Sequence, residues 1–110
     1  MTDIPTITVQ QLEEALASSY APLLLDVREP SEIAQSAIPG ILPIPLAELP
    51  GRLEQLDSTD AEQLIAVICR SGGRSARATA FLLSNGFNAA NVQGGMLAYV
   101  AEVDPTLPTP

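Results

Sequence analysis

The stretch Leu64-Ile65-Ala66-Val67-Ile68-Cys69-Arg70-Ser71-Gly72-Gly73-Arg74-Ser75 decides the fold. Leu64 to Cys69 runs without a polar break, which suits a strand buried on both faces rather than the alternation of a half-exposed one. A glycine-containing turn follows at once. Ala76, Thr79, Ala80 and Leu83 then recur at the spacing of one helix face. Gly86, just past Asn85, reads as the left-handed cap of that helix, with Phe87 placed to make the accompanying apolar contact.

The flanks repeat the alternation. Thr8 and Gln11 form a capping box, and Val9, Leu12, Ala15 and Leu16 open an amphipathic helix near 9–18. Leu23-Leu24-Leu25-Asp26-Val27 is a second continuous apolar run, and Glu29-Pro30-Ser31-Glu32-Ile33 predicts a short helix near 30–35, with proline in its first turn. Ile38 to Pro45 holds three of the ten prolines, so a short edge strand around 42–44 fits. Leu46 to Leu49 makes one helical turn, and Pro50 restarts a helix through Arg52, Leu53 and Leu56. Polar Asp57 to Gln63 hands over to the main strand. Val92 marks a last short strand, Gly94-Gly95 a turn, and Met96 to Val103 a terminal helix. Strands alternating with helices give an α/β chain, a parallel sheet covered on both faces.

At 110 residues the chain has room for one core, which we place over 1–103, followed by a loosely ordered proline-rich tail, 104–110. Thirteen acidic residues against five arginines leave a net charge of −8, which repels nucleic acid and anionic lipid. There is no histidine and no lysine, so histidine acid–base chemistry and histidine-ligated metals are excluded. A single cysteine does not supply the thiolates of most structural zinc sites, so neither metal nor cofactor is expected. Cys69 alone forms no internal disulfide. Met1 to Gln10 carries neither positive charge nor an apolar run, against a secretory signal. No apolar stretch approaches the ~20 residues of a membrane helix. A cytoplasmic protein is expected.

In open parallel sheets ligands sit at the carboxyl ends of strands, where Cys69 stands. A lone cysteine beside an apolar strand is ordinarily a buried structural residue. Here the flanks overturn that reading. Arg70 and Arg74 bracket the turn, Gly72 and Gly73 let the backbone curl, and the following helix aims its unpaired N–H groups at the sulfur. Each feature favours thiolate, giving a nucleophile active at neutral pH without a histidine base.

These residues resemble a known family: Cys69-Arg70-Ser71-Gly72-Gly73-Arg74-Ser75 is similar to the active-site loop of single-domain rhodaneses, the thiosulfate sulfurtransferases. Leu25-Asp26-Val27-Arg28-Glu29, Ile38-Pro39-Gly40 with Ile44-Pro45, and Gly94-Gly95-Met96-Leu97-Ala98-Tyr99 resemble further family segments. The resemblance spans about residues 4–103 in the family's order. It implies a five-stranded parallel sheet flanked by helices and a ping-pong transfer through a Cys69 persulfide. A donor such as thiosulfate would leave as sulfite, and cyanide or a thiol would take the sulfur away. Loop N–H groups from Arg70, Ser71, Gly72, Gly73, Arg74 and Ser75 would surround the sulfur, and Arg70 and Arg74 would grip an anionic donor. Two departures stand out: Ser36-Ala37 replaces a frequent histidine, and Tyr99 a frequent tryptophan.

Asp26 reads as a structural acceptor that fixes a loop or pairs with Arg28. For Arg28 a surface ion pair with Glu29 or Glu32 is the commoner fate, with a place facing the cleft as the alternative. Arg77 and Arg52 read as exposed. Two rival functions remain. Cysteine-dependent phosphatases and arsenate reductases also pair a cysteine with an arginine, but on a loop one residue longer than Cys69 to Arg74. A sulfur-carrier or regulatory module would dock a protein partner in a sulfur relay. With no second cysteine, the sulfur must leave to another molecule.

Overall fold

The computed structural model describes residues 4–57 and 60–110; Ser58 and Thr59, within the polar Asp57–Gln63 stretch, lie outside the described residues, as does the start of the Met1–Gln10 segment. Among the described residues the strands are β1 (Thr6–Ile7), β2 (Leu23–Asp26), β3 (Leu42–Pro43), β4 (Ile65–Ile68) and β5 (Ala89–Val92). They form one parallel five-stranded sheet in the order β1-β5-β4-β2-β3. The helices are α1 (Val9–Leu16), α2 (Pro30–Gln35), α3 (Gly73–Ser84) and α4 (Gly95–Glu102), and 3₁₀ turns cover Leu46–Gly51 and Leu53–Leu56. No helix among these is long and apolar enough to cross a membrane.

β4 is central and wholly buried, and its side chains feed two cores. Ile65, Val67 and Cys69 face α3 and the 3₁₀ turns, where they meet Leu25, Leu49 and Leu82. Ala66 and Ile68 face α1 and α4, where they meet Leu12, Met96 and Tyr99. This two-sided burial is why the strand reads as a continuous apolar run.

Local signals act as expected at most element ends. Thr8 accepts from Gln11 N–H, and the Gln11 side chain returns a bond to Thr8 N–H. α3 ends with Gly86 N–H on Leu83 C=O and Phe87 N–H on Leu82 C=O, a Schellman closure. The structure corrects three details. The buried face of α3 is Ser75, Ala78, Thr79 and Leu82, one residue back from the apolar pattern, because a polar residue, Ser75, is turned inward. Pro50 lies inside the first 3₁₀ turn and does not restart a helix. The tail expected to be loose folds back: Leu107 packs on the α1/α4 core and Gln35 Nε2 donates to Thr109 C=O.

α4 begins against the loop that follows β4. Met96 N–H donates to Cys69 C=O at 2.9 Å and Leu97 N–H to Arg70 C=O at 3.0 Å. Gly95 makes this approach possible, since its φ is +59° and a Cβ would stand 2.6 Å from both carbonyl oxygens. Gly95→Ala is therefore expected to lower stability by about 2–4 kcal/mol. Gly73 has ordinary φ and open space around its Cα. Gly73→Ala should leave the melting temperature unchanged or raise it slightly, and thermal unfolding of the two variants checks the contrast.

Candidate active site

β4 delivers Cys69 to the carboxyl edge of the sheet with its side chain 1% exposed. The chain then turns through Arg70 and Ser71 to Gly72, whose φ of +115° only glycine adopts without strain, and α3 starts at Gly73. Gly72 carries no side chain to cap α3. The Cys69 sulfur takes that place: Gly72 N–H donates to Sγ at 3.0 Å and Ser75 Oγ lies 3.2 Å from it. Burial pushes the thiol up, but the Ser75 hydroxyl and the N–H groups of Ser75, Gly72 and Ser71 outweigh it, so Cys69 ionises below the ordinary thiol value. The sulfur is thus the acceptor for the first turn of a helix.

Of the two arginines that bracket the loop, only Arg70 projects into solvent without an ion pair among the described residues. Arg74, read from the sequence as a grip for anionic donors, is clasped by Glu32 of α2 through a fork of 2.7 and 2.8 Å. That bond from Arg74 holds the Glu32 carboxyl down to about 2, so the clasp is charged on both sides at neutral pH. Ser75 is fully buried and belongs to α3, where its hydroxyl rather than its position in a loop brings it to the sulfur. Ser71 and Gly73 are exposed at the mouth.

Asp26 and Arg28 lie beneath the site. Arg28 is 1% exposed, which overturns the surface pairing with Glu29 or Glu32. Its guanidinium meets both Asp26 oxygens, with Nη2 to Oδ2 at 2.8 Å, because the chain continues from β2 into the interior before α2 covers it. The remaining donors go to the carbonyls of Ser36, at 2.8 Å, and Glu32, at 3.3 Å. Ser36 thus supplies a backbone acceptor to the buried guanidinium.

Two site residues escaped the sequence reading. One is Glu32, whose signal was the capping box it forms with Glu29. The other is Asn91, a buried amide in β5 that accepts from Ser75 Oγ at 2.5 Å and donates to Gly72 C=O at 3.2 Å. A polar residue inside a strand buried on both faces is the signal that finds it.

The family model for the Rhodanese-like domain matches residues 8–102. YtwF of Bacillus subtilis is 37% identical over 94% of this chain and 97% of its own length. A sulfurtransferase of Allochromatium vinosum is 35% identical over 84% of this chain and 85% of its own. The crystallographic neighbours include the human single-domain sulfurtransferase TSTD1, at 29% identity and a TM-score of 0.77, covering 91% of this chain and 98% of that one.

Asp26→Asn leaves the Arg28 charge buried without its counter-ion and should cost about 3–5 kcal/mol in denaturant unfolding. Replacing both partners by apolar residues, Asp26→Leu with Arg28→Met, should cost less than the single change, because no orphaned charge remains.

Proposed function

The chain belongs to the rhodanese-like family, and from that premise we propose that it is a sulfurtransferase in which Cys69 carries sulfane sulfur as a persulfide. The observation that carries this reading is the sulfur capping α3: a thiolate held by backbone N–H groups needs no general base, and the chain has no histidine to offer one.

In the first half-reaction Sγ attacks the outer sulfur of thiosulfate. The Sγ–S bond forms, the S–S bond of the donor breaks, and its electron pair leaves with sulfite. Thiolate and thiosulfate dianion become persulfide anion and sulfite dianion, so charge balances. In the second, cyanide attacks the outer sulfur and departs as thiocyanate, returning the thiolate; a small thiol or a protein thiol would depart as its own persulfide. Persulfide and thiolate are both anions, and the N–H groups that favour one serve the other. A lone reactive thiol suits a reducing, cytoplasmic setting, and a protein acceptor in a sulfur relay is the natural alternative to a small one.

Two observations weigh against phosphatase or arsenate chemistry. The loop from Cys69 to Arg74 has four intervening residues. Arg74 is also spent on Glu32, so it is not poised over the sulfur to embrace a tetrahedral oxyanion.

Intact mass before and after incubation with thiosulfate tests the reading. A gain of one sulfur, removed by cyanide and absent from Cys69→Ser, is the expected result; no gain with thiosulfate or with a polysulfide would overturn it. Steady-state kinetics separates the arginines. Arg70→Ala should raise the Michaelis constant for thiosulfate several-fold, and Arg74→Ala should change it little. Glu32→Gln, which frees Arg74 to meet the donor, should lower it.

A further inference from the structure

Asn91 is chemically oriented by its partners. Gly72 C=O only accepts, so the amide atom facing it at 3.2 Å is the NH₂ group, and the carbonyl Oδ1 is the atom that faces Ser75 at 2.5 Å. Oδ1 in turn only accepts, so the hydroxyl proton of Ser75 points at Asn91. The lone pairs of Ser75 Oγ then face Cys69 Sγ at 3.2 Å, as acceptors for an S–H. Ser75 and Asn91 are both buried, 0% and 8% exposed, so no bulk solvent substitutes for a missing partner. The Ser75 hydroxyl has one proton and two claimants, the amide oxygen and the sulfur once it is ionised.

We propose that Asn91 is a positioning residue that competes with the Cys69 thiolate for the single hydroxyl proton of Ser75, and thereby favours the neutral thiol over the free thiolate. In the thiol form the bonds run in one direction, S–H to Ser75 Oγ and Ser75 O–H to Asn91 Oδ1. When the thiol releases its proton to solvent, the hydroxyl turns to Sγ and leaves a buried amide oxygen without its donor. Loading the sulfur moves the negative charge to the outer atom, and the hydroxyl returns to Asn91. The amide therefore weighs against the empty anionic state and leaves the loaded state alone.

The other charged groups that bear on the sulfur act independently of this exchange. Arg74 on α3 senses the Cys69 charge and is held by Glu32 of α2, and Arg70 adjoins it in the chain. Asp26 and Arg28 of β2 close on each other. β5 contributes Asn91, through Ser75, and α4 contributes the backbone N–H of Met96 on the Cys69 carbonyl, neither of which titrates.

The inference rests on Cys69 as the reacting sulfur, and its readout, thiol ionisation followed by ultraviolet thiolate absorbance against pH, needs no sulfur donor. Failure to form a persulfide and failure of the amide's role are thus separate results. In the full chain, Asn91→Leu, which matches the amide in shape, should lower the thiol pKa by about 0.5–1 unit. Asn91→Ala carries the same expectation should the leucine variant not fold. Ser75→Ala should raise the pKa, and in the Ser75→Ala background either Asn91 change should have no further effect. A pKa that rises or stays put on removing the amide, or a shift that survives without Ser75, would overturn the proposal. Those are the outcomes of a residue that only anchors the loop through Gly72.

Discussion

A sulfur that is to ionise at the buried end of a strand has to be matched by donors, because an unmatched charge in such a place is prohibitively costly. This chain has no lysine or histidine to set beside it, and its net charge is −8. The donors are the Ser75 hydroxyl and backbone N–H groups, and most of the surrounding architecture serves to aim them. Gly72 in the left-handed region turns the chain so that α3 starts over the sulfur. The carbonyls of Cys69 and Arg70, at the start of the same loop, are taken by N–H groups of the first turn of α4, those of Met96 and Leu97. The loop is therefore held from both faces: one helix start grips its carbonyls and another directs its amides inward. Gly95 is the hinge pin of this arrangement, since any side chain there would strike both carbonyls.

α2 is a second consequence of the same need. It buries none of its own residues, so apolar packing does not hold it in place. Arg28 does so from below, closing on Asp26 and donating to the Glu32 carbonyl within the helix and to the carbonyl of Ser36 at its carboxyl cap. From the other side Glu32 clasps Arg74 on α3. A chain of charge runs from the end of β2 through α2 to α3, the helix whose start the Cys69 sulfur caps. The buried pair thus owes its place less to net stability, which ion pairs of this kind rarely supply, than to fixing where α2 and Glu32 sit.

Much of this was legible in the sequence. The two-sided apolar runs of β2 and β4 identified the sheet, and the capping box at Thr8 and the glycine closing α3 placed their helix ends, since each signal is local. Cys69 stood out because glycine and arginine followed an apolar strand. The misreadings share a cause: the pattern assigns polar residues to water. Ser75 was put outside the core face of α3, Arg28 on the surface, and Asn91 went unnoticed, yet all three are buried against polar partners. Ser75 and Asn91 meet across distant parts of the chain, whereas Arg28 turns inward onto near neighbours, Asp26 and the Glu32 and Ser36 carbonyls, that periodicity does not mark as a buried site. Asn91 is sixteen residues from Ser75 and Glu32 forty-two from Arg74, and single-sequence periodicity carries no information at such separations. β1, two residues long, fell below the length at which alternation registers.

For the proposed anionic donor, the electrostatics of approach follow from local rather than total charge. At physiological ionic strength charges are screened over about 8 Å, so the excess of carboxylates elsewhere on the chain repels an approaching anion only weakly once it nears the loop. What it meets there is set by a few groups. Glu32 cancels Arg74, and the cancellation holds because the carboxyl stays ionised down to about 2. Arg70, exposed and without an ion pair among the described residues, is left to offer its charge. A site with one unpaired cation at its mouth and the N–H groups of Ser71, Gly72 and Ser75 around a sulfur only 1% exposed admits a small anion more readily than a bulky one. On the proposed reading, that balance suits a thiol that has no second cysteine beside it and so passes its sulfur to another molecule.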